Sequence, residues 1–185
     1  MVMGAMDMVL SNDFGNTAFC TLKLAALKEG MLMLEAVFIT HCAAPKSLQI
    51  ERYLPLSIVR VVVNDDLTDL SKVLTAQHLD KLGQKVSKRS AQEFVNQARP
   101  QLNTMIERAN ELAQNSTVDL VKQAKDKMLE EHTAALQRLK ALAQVNPNIR
   151  QDEIQHLLGE REVLEDYLST AQLKLDAVRV ALVIK

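Results

Sequence analysis

The chain has 185 residues, 22 basic against 23 acidic, with 48% of its residues hydrophobic. That length suits one domain with a substantial buried core, and the near-neutral balance excludes bulk electrostatic attraction to nucleic acid or to an anionic membrane. The two cysteines, Cys20 and Cys42, are too few for a disulfide framework and fit no zinc spacing, so reduced intracellular thiols are expected.

Met1 to Leu10 lacks the basic start of a signal peptide, and no apolar run reaches the ~18 residues a membrane span needs. The start therefore reads as the interior of a longer protein. It is Met-rich (Met1, Met3, Met6, Met8), and Ala5 to Leu10 reads as a short helix. Apolar runs at Ala18 to Leu24 and Met31 to Ala43 are two strands, with Lys28-Glu29-Gly30 as the turn between them. Leu48 to Tyr53 alternates Leu48 and Ile50 against Gln49 and Glu51, which extends the strand pattern until Pro55 punctuates it. Ile58 to Val63 is strongly β-branched, and Asn64-Asp65-Asp66 closes it as a polar turn. Residues 1–66 are thus mainly strands, and 67–89 form a connecting segment.

From 90 to 174 the pattern is helical. Ser90 with Glu93 reads as a capping box, and Pro100 must kink or restart the helix about nine residues later. Leu102, Ile106, Ala109 and Ala113 mark one helix face. The polar run Gln114-Asn115-Ser116-Thr117 predicts a bend, leaving Pro100 to Ala113 to lie on the sheet. Leu120, Ala124, Met128, Ala135, Leu139 and Leu142 continue the pattern. Proline fixes its own φ and moves Asn146 out of the α region, so this helix must end by about Val145. The turn at 145–148 predicts an antiparallel hairpin, with Asn148 and Gln151 as the pair that starts the next helix. Ile154, Leu157, Arg161, Leu164, Leu168, Ala171 and Leu175 then step by 3 and 4, with Arg161 the one polar intruder. The segment 175–185 is β-branched again and should return as a strand beside the N-terminal sheet. The fold class expected is α+β: an antiparallel sheet of N-terminal strands plus the C-terminal strand, with a long antiparallel helical hairpin.

Catalytic patterns are missing. The five glycines are scattered, and Gly83-Gln84-Lys85 lacks both the upstream glycine and the hydroxyl residue of a P-loop. There is no GxSxG elbow. His41 and Cys42 are neighbours in a strand, so their side chains point to opposite faces and make no nucleophile–base pair. His78, His132 and His156 each lack a second ligand at i+3 or i+4 and read as solvated or cap-satisfied rather than metal-bound. Carboxylates at Glu130-Glu131 and from Glu160 to Glu165 read as a solvated helix face. Lys81, Lys85, Lys88 and Arg89 form the one basic cluster and are the candidate nucleic-acid contact. With no Trp and two Tyr, a stacking platform for single strands is not credible.

Several stretches together resemble the C-terminal region of the RapA family, bacterial RNA polymerase-associated ATPases of the SWI/SNF helicase-like class. They are Gly4 to Ser11 (GAMDMVLS), Ala44-Pro45-Lys46 leading to Arg52-Tyr53-Leu54-Pro55, Val145-Asn146-Pro147-Asn148-Ile149-Arg150 with Asp152-Glu153, and Leu175-Asp176-Ala177-Val178-Arg179. The chain departs from the family at Ala171-Gln172-Leu173, where relatives carry an aromatic residue. The resemblance implies a parent that hydrolyses ATP with Mg, binds RNA polymerase and promotes its recycling. It also implies that the ATPase lobes lie upstream. No nucleotide-binding or catalytic residue of the family has a counterpart here, so this chain is expected to hold no cofactor, no metal and no catalytic residue. The implied partners are RNA polymerase core and the parent's own ATPase lobes, in the bacterial cytoplasm and at the nucleoid through polymerase, with no membrane contact. The alternative reading is a module that contacts duplex DNA and assists the motor.

Overall fold

A computed structural model describes residues 17–24 and 26–185. The short helix expected at Ala5 to Leu10, the Met-rich start and the first of the family-like stretches lie outside the described residues. Among the described residues, five strands form one sheet: β1 (Thr17–Lys23), β2 (Leu32–His41), β3 (Ser57–Asn64), β4 (Gly83–Lys85) and β5 (Gln172–Ile184). The helices are α1 (Ala76–Leu82), α2 (Lys88–Gln97), α3 (Arg99–Val145) and α4 (Gln151–Ser169). This is the α+β class expected. By contacts the chain divides into a sheet unit (1–39, 58–115 and 174–185) and a hairpin unit (40–57 and 116–173).

In the sheet unit the strand order is β3-β2-β5-β1-β4. The returning strand β5 therefore sits inside the sheet, between β2 and β1. It runs parallel to β1, with Cys20 beside Ala181 and Leu22 beside Val183, while β4 pairs antiparallel to β1. The turn at Lys28 to Gly30 steps across that inserted strand. Gly30 takes φ +81, a left-handed conformation that favours glycine, and its N–H donates to the Val183 carbonyl at 2.9 Å.

Alternation along the strands gives the sheet two faces. One carries Cys20, Leu22, Met33, Val62, Ala181 and Val183, packed with Leu74 and Leu79 of α1 and its approach. The other carries Leu32, Leu34, Ala36 and Phe38 of β2, all buried. Phe19 of β1 meets Phe94 there, ring centroids 5.2 Å apart, which puts α2 over that face. The stretch 67–89, read from sequence as a connection, contains α1 and β4. Gly83 links the two because a Cβ there would lie 2.7 Å from the Leu79 carbonyl oxygen.

Helix boundaries follow local chemistry, with several departures from expectation. The cap of α2 is Ser87, whose hydroxyl accepts from the Ser90 N–H at 3.2 Å, rather than a Ser90–Glu93 box. Glu93 instead pairs with Arg89 one turn before it. Pro100 does restart the helix: α2 ends at Gln97, and proline falls in the first turn of α3, where its missing N–H costs nothing. The bend expected at Asn115 to Thr117 is not there. Thr117 is buried and its hydroxyl lies 3.2 Å from that of buried Thr40, so a polar residue faces inward and α3 continues through it. As expected, α3 ends at Val145.

In the hairpin unit, Leu48 to Tyr53 is not a strand. It forms two 3-10 turns, Lys46–Leu48 and Ile50–Arg52, joined by Gln49 at φ 47. Buried Ile50, Tyr53 and Leu54 are spaced as on a helix, and that period outweighs the apparent alternation. They pack with Ala124 and Met128 of α3 and Leu164 and Leu168 of α4. The connection between α3 and α4 is capped differently from expectation. The Asn146 side chain accepts from the Asn148 N–H at 3.0 Å. The cap of α4 is Arg150, whose N–H donates to Glu153 Oε1 at 3.2 Å. Arginine has no acceptor to return the bond, so only half of a capping box exists.

Candidate functional site

The hairpin unit contains a cavity of about 300 Å³ walled by the 3-10 turns, α3 and α4. Ser47, Gln49, Arg52 and Tyr53 come from the turns, Glu131 and His132 from α3, and Glu160 from α4, over an apolar floor that includes Leu157 and Leu164. The local sequence sets this up. Gln49 in the left-handed region turns the chain so that Arg52 and Tyr53 project towards α3. On α3, Ala124, Met128, His132 and Leu136 recur every fourth residue and are all buried.

His132 is 7% exposed, and its Nδ1 is buried without a hydrogen-bond partner. Its ring lies 6.2 Å from that of Tyr53. The Arg52 guanidinium sits 5.6 Å from the Tyr53 ring centroid, over its face. Arg52 Nη2 is 2.6 Å from Glu131 Oε2, while that oxygen accepts no hydrogen bond. The contact is therefore an ion pair whose N–H groups point elsewhere, and with Arg52 59% exposed it contributes little. Burial holds the Tyr53 phenol above its ordinary range. Arg52 pulls it the other way, and Glu131 and Glu160 push it further up. The nearby Lys127 ammonium is committed to the Arg52 carbonyl at 3.0 Å. Chemically, the cavity wall combines two carboxylates, a phenol ring and an unpartnered imidazole nitrogen with the Ser47 hydroxyl, the Gln49 amide and one tethered guanidinium at the rim.

The sheet unit holds a second charged group. Glu35 of β2, 6% exposed, is bracketed by Arg60 of β3 and Arg179 of β5, the latter at 3.2 Å. Arg179 continues to Asp80 at 2.7 Å, and Arg60 donates to the Leu74 carbonyl at 2.8 Å. The buried Cys20 thiol beside this network is pushed up by burial, with Arg179 opposing and Glu35 and Asp80 adding to it. Both guanidiniums reach the one carboxylate across three strands, which is a strand-to-strand tie, while Arg60 Nη2 is buried without a partner. Cys42, the other thiol, donates to the Tyr167 carbonyl at 2.9 Å.

The basic residues singled out by sequence are all exposed. Lys81 is on α1, Lys85 on the edge strand β4, and Lys88 and Arg89 in the first turn of α2. Arg89 Nε is 3.1 Å from Glu93 Oε1. None of the four lines the cavity. His132, expected to be solvated or cap-satisfied, is instead a buried wall residue. The signal was present in its place four residues beyond Met128 on the buried stripe. Compared with known protein families, residues 1–183 match the RNA polymerase recycling family C-terminal.

Proposed function

This chain belongs to the RNA polymerase recycling family, as its C-terminal region, and on that premise we propose that it is a non-catalytic contact and regulatory domain. The parent is a helicase-like ATPase of the SWI/SNF type, with ATP and Mg bound in lobes outside this chain. The domain's partner is RNA polymerase core or those lobes, and its setting is the bacterial cytoplasm and nucleoid. Among the described residues, no helix is long and apolar enough to cross a membrane.

The observation that carries the reading is the match along 1–183. The test is binding of the chain to RNA polymerase core and, separately, to the ATPase lobes. Saturable binding to one of them is expected. Binding to neither overturns the reading.

A second reading is duplex DNA contact through Lys81, Lys85, Lys88 and Arg89. All four are exposed within nine residues, and α2 has no acidic residue in its first turn to oppose them. Salt-dependent binding to duplex DNA, weakened when the four are changed to glutamine, is its expected signature.

A further inference from the structure

We propose that the cavity between the 3-10 turns and the two helices of the hairpin unit is a receptor for a primary ammonium group. Four observations converge on it. First, the lining brings two carboxylates, Glu131 and Glu160, together with the Tyr53 ring and the imidazole of His132, beside Ser47 and Gln49, whose side chains can accept as well as donate. An ammonium carries three donors and no acceptor, which is the complement of that set. Second, His132 is more than nine-tenths buried at this wall, and its Nδ1 has no partner. A buried nitrogen in that condition costs free energy until a partner arrives, and with the ring proton on Nε2 that partner is a donor. Third, two carboxylates stand against one guanidinium, so the wall is one negative charge in excess. Fourth, the chain already places a cation of its own here: Arg52 lies over the Tyr53 ring and 2.6 Å from Glu131 Oε2. That guanidinium is 59% exposed and out of line for a hydrogen bond, so it holds the rim without filling the cavity.

An entering ammonium lies between Glu131 and Glu160, donates to the carboxylates and to His132 Nδ1, and displaces the Arg52 head group into solvent. The apolar floor at Leu157 and Leu164 covers the methylenes behind it. A lysine side chain and a free alkylamine share this chemistry. The choice of an ammonium stands on the cavity residues alone. That the ammonium is a partner's lysine rests on the protein-contact reading above.

The experiment uses the full chain, with ¹H–¹⁵N spectra of the His132 ring recorded during titrations. The probes are n-butylammonium, Nα-acetyl-lysine methylamide and, as a neutral control of the same shape, 1-butanol. Millimolar, saturable binding of n-butylammonium that moves the His132 Nδ1 resonance is expected. Glu131→Gln with Glu160→Gln should weaken it about a hundredfold, since two charge-assisted hydrogen bonds become neutral ones at roughly tenfold each. Both positions are partly solvent-accessible, and an unchanged melting curve confirms that the double variant folds. Equal binding of the lysine derivative assigns the site to a polypeptide lysine, while binding of n-butylammonium alone assigns it to a free amine. Equal shifts with 1-butanol, no shift at His132, or undiminished binding by the double variant overturns the inference. Polymerase binding that persists in any of those cases leaves the proposed function standing, so the two failures are distinguishable.

Discussion

Glu35 in the sheet unit and Glu131 in the hairpin unit are both carboxylates set against arginine, and they serve opposite purposes. Glu35 is 6% exposed and lies between two guanidiniums on neighbouring strands. The Glu131 side chain is 32% exposed, meets one guanidinium, and borders a cavity. A buried carboxylate with full partners is held because removing it strands the opposite charges. A partly exposed one in a loose pair, with its Oε2 covered by Arg52 but accepting no hydrogen bond, remains available to a newcomer. Burial and the number of partners, rather than the presence of an ion pair, separate a structural charge from a receptive one.

The largest test of that contrast is Glu35→Ala. It leaves Arg60 and Arg179 facing each other across β2, and should cost about 4 kcal/mol in chemical denaturation. Arg52→Ala, which removes the cation at the cavity rim, should change stability by less than about 0.5 kcal/mol. Equal losses would erase the distinction. Next in size is Leu164→Ala. Leu164 is 1% exposed at the cavity floor, and truncation should cost about 3 kcal/mol while enlarging the space above it. A loss near zero would mean that the floor collapses to fill the gap.

How far this contrast was legible from sequence differs between the units. The β-branched runs at 58–63 and 178–184 announce strands wherever they fall, and the Asn-Pro step ends α3 through backbone sterics alone. The order of the strands is another matter. β5 enters between β1 and β2, pairing parallel with residues far away in the chain, and alternation specifies faces without specifying neighbours. Glu35, Arg60 and Arg179 therefore read as unrelated charges until the topology brings them together. Thr117 and His132 were hidden for a different reason. Each is a polar residue on an apolar stripe, and hydropathy alone reads such a residue as an interruption. Thr117 finds the Thr40 hydroxyl, whereas the His132 Nδ1 finds no partner. At Leu48 to Tyr53 the apolar residues satisfied two periods at once, and the left-handed Gln49 settled the choice.

A smaller effect separates the two asparagines of the hairpin connection. The Asn146 side chain bonds the Asn148 N–H and so holds the exit from α3. Asn146→Ala should cost about 1 kcal/mol, read as a shift in the denaturation midpoint. Asn148→Ala removes no bond to the cap of α4, since Arg150 and Glu153 form that cap, and the midpoint should stay put. The reverse ranking would return the cap to Asn148.

The finest test uses an exposed carboxylate of the sheet unit, where neighbours rather than burial set the behaviour. Slight burial raises the Asp69 carboxyl, but bonds from the Ser71 hydroxyl and from the Ser71 N–H, at 2.9 Å, outweigh it, with Lys72 and Arg108 adding to them. The net shift is downward. Folding therefore favours the carboxylate, and its contribution is present above the ordinary aspartate range of about 4. It is lost as pH falls through the lower folded value, because protonation removes the acceptor. Ser71→Ala takes away the hydroxyl bond and brings the folded value back towards the unfolded one. Melting temperatures measured from neutral pH down through the carboxylate range should then fall less steeply in Ser71→Ala than in the parent chain. Parallel curves would assign the acid sensitivity to other carboxylates.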